Sequence, residues 1–368
     1  MEKERVLYSK YRPSNLDEVI GQKTTVATLK MASKANRFAN SYLLSGERGC
    51  GKTSTARILA KLMGCENVEN GITCGKCDPC LSIDSDLCMD VKELNGAKNG
   101  KVEDINALID SAYRSPQELS RKIYIIDECH QLTKEAESNL LKIVEEPPRY
   151  LTFIFCTTEV DKIKDTILSR CQKFNFGKIL SEDIAKRLQY IAGEERIVIE
   201  ENALLSIARL ARGSMRDAIG YLDQIATVAG NKKITEKHIN IYFAVPDRQA
   251  VLNIIKSMLN GDIALMIDQV NDMVTTSIRL EDILFEIAET LRNIQTAKIP
   301  NVNQKLIDLP ENEVNELKKL AECFEITKLI KLAHVFSDIG KKVTYHINPR
   351  WIMEATLINC SISLSNKK

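Results

Sequence analysis

The sequence contains no run of eighteen apolar residues, the length about needed for a membrane-spanning helix. The N-terminal stretch MEKERVLYSKYRP is charged throughout and lacks the apolar centre of an export leader. Charge of one sign is missing too: 51 Lys and Arg stand against 50 Asp and Glu. That balance excludes a global pull on nucleic acid, so any contact with it must come from a local patch or from helix N-termini. There is no low-complexity tail and no short-period repeat, and Lys367 and Lys368 simply end the chain. These absences predict a cytoplasmic protein, where thiols stay reduced. A length of 368 residues predicts two or three domains.

What is present divides in two. The first half alternates short apolar strands with helical patterns, as a parallel α/β sheet does. SYLLSG (41 to 46), CMDVKEL (88 to 94), KIYIIDE (122 to 128) and LTFIFCTT (151 to 158) read as strands; TSTARILAKLMG (53 to 64) and VEDINALIDSAY (102 to 113) read as helices. After about residue 178 the strand signals fade and helical periodicity takes over. Pro246 marks a further boundary. In EDILFEIAETLRNI, residues Ile283, Leu284, Ile287, Ala288, Leu291 and Ile294 form one stripe. It reads as core packing, with an oligomer interface as the sharper alternative.

Gly46-Glu47-Arg48-Gly49-Cys50-Gly51-Lys52-Thr53 fits the phosphate-loop pattern G-x-x-x-x-G-K-[ST], followed by Ser54. Glycines let backbone N–H groups curl around phosphates, Lys52 neutralises the β and γ oxygens, and the Thr53 hydroxyl binds Mg²⁺. The motif follows an apolar strand and opens a helix, as the mechanism requires. Asp127 and Glu128 end the third strand. Asp127 would hold Mg²⁺, and Glu128 would act as general base on the attacking water. His130 completes the string Asp-Glu-Cys-His, which is similar to a helicase motif; it is read as incidental, because the other helicase signatures are not apparent.

Cys65, Cys74, Cys77 and Cys80 give four thiolates, the number that a closed tetrahedral Zn²⁺ site takes. Overlapping C-x-x-C pairs in a reduced compartment favour metal over disulfide. Gly75 and Pro79 supply tight turns. With no open position, the zinc would staple a loop too small for its own core. Cys88 falls outside the quartet and is read as a core residue beginning a strand.

Further strings converge on a family. Tyr11-Arg12-Pro13 precedes Val19-Ile20-Gly21-Gln22; Leu168-Ser169-Arg170-Cys171 and Gly213-Ser214-Met215-Arg216-Asp217-Ala218 follow later; NPRWIMEATLI lies near the end. The chain thereby resembles the bacterial DNA polymerase III gamma/tau subunits, AAA+ clamp-loader ATPases. The resemblance implies an α/β AAA+ P-loop ATPase domain over residues 1–178 with a zinc module at 65–80. A small helical lid over 179–245 and an all-α collar over 246–368 would follow. It implies that Tyr11, Arg12, Pro13, Val19 and Ile20 frame the adenine of ATP, and that Thr158 is sensor 1, with Thr157 as the alternative. Arg216 would touch the γ-phosphate of its own subunit, and Arg170 would be an arginine finger reaching a neighbour's ATP. The intact phosphate loop points to gamma rather than delta-prime, and the extent of the chain to the short gamma-like form.

The implied partners are delta and delta-prime subunits, the sliding clamp, primer–template DNA and further copies of the chain, with no membrane. The family carries basic residues between the second strand and the next helix. Here Lys101 matches, Lys98 is adjacent, and Asn99 stands where an arginine is expected. The expected function is loading of a sliding clamp onto primed DNA, driven by ATP hydrolysis. An AAA+ helicase or branch-migration motor, and a scaffold that binds ATP without turnover, are the alternatives.

Overall fold

The computed structural model describes residues 6–275, 278–299, 307, 309, 311–323, 325–343 and 349–365. Asn348, Lys367 and Lys368 and the first five residues lie outside them. The chain forms two compact units, Met1–Lys232 and Lys233–Lys368.

The first unit is built on a five-stranded parallel sheet of order β2-β3-β4-β1-β5. Its strands are β1 Ser41–Gly46, β2 Val91–Asn95, β3 Lys122–Asp127, β4 Leu151–Thr157 and β5 Gln172–Phe176. The three central strands are buried along nearly their whole length, which explains their unbroken apolar runs. Successive side chains serve opposite faces. Tyr42, Leu44, Ile123, Ile125 and Ile154 pack with Leu29, Ile58 and Leu59 on one side. Leu43, Tyr124, Ile126, Phe153 and Phe155 pack with Ile105, Leu108, Leu140 and Ile143 on the other.

Two sequence expectations need correction here. β2 begins at Val91, not at Cys88; Cys88 is buried, but it packs with Ile83 and Leu119 before the strand starts. β5 was not foreseen. It pairs only with β1 and buries just Phe174 and Phe176, so its sequence lacks the run that marks a central strand. Helices Ser181–Glu194, Glu201–Leu210 and Met215–Ala229 complete the unit, burying Ile184, Leu188, Leu204, Ile207, Ile219 and Leu222.

Among the described residues of the second unit, every regular element is a helix. Helix Leu280–Lys298 turns its Ile283, Leu284, Ile287, Leu291 and Ile294 stripe into the core, with Ala288 half-buried beside it. Val251, Ile255, Met258, Phe336, Met353 and Leu357 meet it there. Among the described residues no helix is long and apolar enough to cross a membrane.

Candidate functional site

β1 ends at Gly46, and the chain turns through residues 47–51 into helix Lys52–Gly64. Gly49 and Gly51 have φ of 77° and 103°, a region that side chains resist. The first N–H groups of the helix have no intrahelical partner, and the helix dipole adds positive charge at that end. The turn is therefore an anion site. Lys52 is 6% exposed, and its Nζ donates to the carbonyl oxygens of Gly46 and Glu47, both at 2.8 Å. Burial pushes the Cys50 thiol up, which keeps it an inert part of the turn.

Thr53 Oγ1 donates to Asp127 Oδ2 at 3.0 Å, bringing together a hydroxyl from the turn and a carboxylate from the end of β3. Such a pair of hard oxygens fits Mg²⁺. Glu128 follows at φ 49°, a conformation rare outside glycine. Thr158 Oγ1 donates to Glu128 Oε2 at 3.2 Å. Thr157 is fully buried and has other partners: its Oγ1 accepts from the Glu159 N–H at 3.0 Å and lies 3.1 Å from His130 Nδ1.

His130 lies among these groups. Its Nδ1 stands 3.5 Å from Glu128 Oε2, and its Nε2 3.3 Å from Glu159 Oε1.

One cavity joins most of these groups. Tyr11, Arg12, Pro13, Val19 and Ile20 line it with Gly49, Cys50, Gly51, Lys52, Thr53 and Ser54, and with Asp127, Glu128 and Arg216. Gly46 and Thr158 lie instead on an adjoining cavity with Ser45, Glu159 and Asn175. Arg12 Nε donates to Ser54 Oγ at 3.2 Å; burial, and then the charge of Arg57, lower the guanidinium pKa. Tyr11 Oη donates to Glu195, whose carboxylate is held below its usual range by Lys10 and by this phenol. Tyr8 and Arg187 also line the cavity and were not foreseen. Arg216 Cζ sits 5.0 Å from the centre of the Tyr8 ring. No spacing in the sequence marks Tyr8 or Arg187, since the contacts arise only once the segments pack.

The four cysteine sulfurs of residues 65, 74, 77 and 80 lie within 4.8 Å of one another. Cys65 Sγ is 3.6 Å from Cys74 Sγ and 3.9 Å from Cys77 Sγ. Sulfurs around a tetrahedral zinc with bonds of about 2.3 Å are about 3.8 Å apart, so the quartet fits that ion. The backbone N–H groups of Cys74 and Cys77 donate to Cys65 Sγ and Cys74 Sγ, both at 3.4 Å. N–H donation from Lys76 and Cys77 brings the Cys74 thiol down to about 6. Burial raises Cys65 and Cys80, which a bound cation would reverse by holding each as thiolate. Gly75, at φ 68°, makes the turn, and Pro79 sits in the first turn of helix Asp78–Asp84.

Three family models match the chain in succession. DNA polymerase III, delta subunit, covers residues 21–179; the DNA polymerase III clamp loader subunit ATPase lid domain covers 183–231; DNA polymerase III subunits gamma and tau domain III covers 234–367. The DNA polymerase III subunit gamma of Buchnera aphidicola subsp. Acyrthosiphon pisum is 35% identical over 320 residues, 86% of this chain and 88% of that one. The chain belongs to the DNA polymerase III gamma/tau family.

The gamma/tau subunit of Mycoplasma genitalium is 39% identical over 81% of this chain and 50% of its own length. The Escherichia coli tau subunit is 34% identical over 80% of this chain and 46% of its own. The chain therefore spans about half the length of these two relatives. The Holliday junction branch migration motor RuvB of Thermotoga maritima covers 76% of this chain and 91% of its own, with a TM-score of 0.50 at 22% identity. That likeness shows a shared fold.

Three residues singled out in this gamma/tau chain lie away from the cavity lined by the phosphate turn. Arg170 is exposed; its Nη1 donates to the Thr166 carbonyl at 2.8 Å and its Nη2 pairs with Glu145 Oε1 at 2.9 Å. Lys98, on helix Gly96–Asn99, and Lys101, just beyond it, are exposed as well. This helix packs behind the site: a Cβ on Gly96 would lie 2.4 Å from the Glu128 carbonyl oxygen.

Proposed function

We propose that this chain is the ATP-hydrolysing motor subunit of a DNA polymerase III clamp loader in the cytoplasm. It would place a sliding clamp on primed DNA together with delta and delta-prime subunits and further copies of itself. One observation carries the reading. Two side-chain pairs, Thr53 with Asp127 and Thr158 with Glu128, meet at the same edge of the sheet. Arg216 reaches the cavity there, while Arg170 stands outside it. That arrangement suits a site completed by a neighbouring subunit.

Residues 46–53 cradle the phosphates and Lys52 neutralises them. Thr53 and Asp127 would hold Mg²⁺, which supplies positive charge to the phosphate oxygens. Glu128 takes the proton of the attacking water, with Thr158 fixing the carboxylate. Arg216 binds the γ-phosphate, and Tyr11, Arg12, Pro13, Val19 and Ile20 frame the adenine. Residues 1–178 serve as the ATPase domain, 179–245 as the lid and 246–368 as the oligomerising collar. Zinc held by Cys65, Cys74, Cys77 and Cys80 is structural, because four protein ligands leave no position for a reacting group. Lys98 and Lys101 offer charge to DNA phosphates.

The test is reconstitution with delta, delta-prime, clamp and nicked or primed circular DNA. The expected result is ATP-dependent retention of clamp on the circle and ATP hydrolysis stimulated by clamp and primed DNA together. Hydrolysis indifferent to clamp, accompanied by strand separation or branch migration by the chain alone, would overturn the proposal.

A further inference from the structure

We propose that His130 is a positioning residue that fixes Glu128 against Thr158. The inference rests on the ATP-hydrolysing reading above and deepens it.

The ladder between β3 and β4 stops at the pair Ile126 and Phe155. The reacting groups lie beyond it, at Asp127, Glu128 and Thr158, where no strand pairing between β3 and β4 sets their separation. Glu128 is also in the left-handed region, which a non-glycine residue keeps only when its surroundings hold it there. Something past the end of the ladder must therefore join the two strand ends.

His130 does so. Its side chain is 5% exposed, on the short turn Cys129–Gln131 that follows β3. A carboxylate repels a lone pair, so the charge contact at 3.3 Å with Glu159 Oε1 favours the hydrogen on Nε2. In the neutral ring Nδ1 then accepts, and its partner at 3.1 Å is Thr157 Oγ1. That hydroxyl already accepts the Glu159 N–H, which leaves its own hydrogen for Nδ1. The result is a chain of two hydrogen bonds, Glu159 N–H to Thr157 and Thr157 to His130, closed by the 3.3 Å charge contact between His130 Nε2 and the Glu159 carboxylate. It ties the turn after β3 to the two residues flanking Thr158. Glu128 Oε2, 3.5 Å from Nδ1, is outside a hydrogen bond with the ring. The imidazole therefore acts on the base through β4, by setting where Thr158 meets it. Of the charged groups around the ring, Glu159 is paired with Lys162 at 2.8 Å, and Lys98 on the helix packed behind the turn is exposed.

The test compares kcat and KM in the reconstituted loader, and equilibrium ATP binding, for the full chain carrying His130→Ala, His130→Asn, Thr157→Val and the double variant His130→Ala/Thr157→Val. A brace predicts kcat about 10- to 100-fold lower in His130→Ala, since a displacement of about 1 Å costs that much. ATP affinity should stay within about twofold, because the phosphate turn is untouched. The double variant should lose little more than either single change, as members of one unit do. His130→Asn, which keeps an acceptor for Thr157, should recover part of kcat and gives the reading if His130→Ala does not fold. Wild-type kcat in His130→Ala or His130→Asn together with Thr157→Val, or loss of ATP affinity in step with kcat, would overturn the inference while the ATPase reading stands. A wild-type chain that binds ATP and never hydrolyses it even in the reconstituted loader with clamp and primed DNA would overturn the reading beneath it.

Discussion

Gly49 lies so close to Ser214 that a Cβ on the glycine would stand 1.9 Å from the serine hydroxyl oxygen. The Met215 N–H donates to the Gly49 carbonyl at 3.1 Å beside it. The phosphate turn and the start of helix Met215–Ala229 are thus in direct contact, and Arg216 is the next residue along.

Replacing Gly49 by alanine should part these two elements. The added methyl meets Ser214, and the left-handed backbone alone costs about 1–2 kcal/mol. ATP affinity should fall by about tenfold or more, which corresponds to about 1.4 kcal/mol. Ser214→Ala removes only the helix cap on the Asp217 N–H, a loss of about 1 kcal/mol in stability. Calorimetric titration with ATP separates the two variants. Equal affinities would show that the contact does not serve binding.

Elemental analysis of protein purified without chelator should find one zinc per chain. Cys77→Ser should lose the metal and lower the unfolding temperature of the first unit, leaving the nucleotide residues in place. Full zinc content in a Cys65→Ser/Cys77→Ser variant would refute the assignment of ligands.

Lys52→Ala should abolish tight ATP binding, since the one buried ammonium of the turn is gone. Glu128→Gln should bind ATP normally and lose turnover, because the phosphate cradle is intact and the water has no base. Normal turnover by Glu128→Gln in a reconstituted loader would remove Glu128 from the base's role.

Arg170 should act on the adjacent subunit. Its pairing with Glu145 is exposed, and such pairs contribute about 0–1 kcal/mol, so releasing it toward a neighbour's phosphates costs little. Arg170→Ala should bind ATP and lose clamp- and DNA-stimulated hydrolysis by about 10³ to 10⁵, the range for arginine fingers. Isolated chains should hydrolyse slowly whether or not they carry the change. Mixing Arg170→Ala with Lys52→Ala chains should restore activity wherever an intact Arg170 faces an intact Lys52. Unchanged stimulated hydrolysis in Arg170→Ala would rule out the finger.

The three central strands were legible in the sequence because burial on both faces writes an unbroken apolar run. β5 was not, because an edge strand of five residues alternates and hides among polar neighbours. The cysteine quartet was legible from spacing alone, since its ligands are close in sequence. The contacts of His130 were not, for the opposite reason. A lone histidine in a polar turn shows no period, and its partners Thr157 and Glu159 are supplied by a strand nearly thirty residues on. Tyr8 and Arg187 escaped in the same way. The role of Arg170 came only through the family strings; its own surroundings show a surface ion pair.

The strand order places β4 between β1, which carries the phosphate turn, and β3, which carries Asp127 and leads into Glu128. On the function proposed above, grip and cleavage hang from different strands about 10 Å apart, with a partition between them. A change at the tip of β4 would then alter the timing of hydrolysis without loosening the hold on nucleotide. A lineage needing a slower or faster loader has that tip to adjust, while the turn that recognises nucleotide stays as it is.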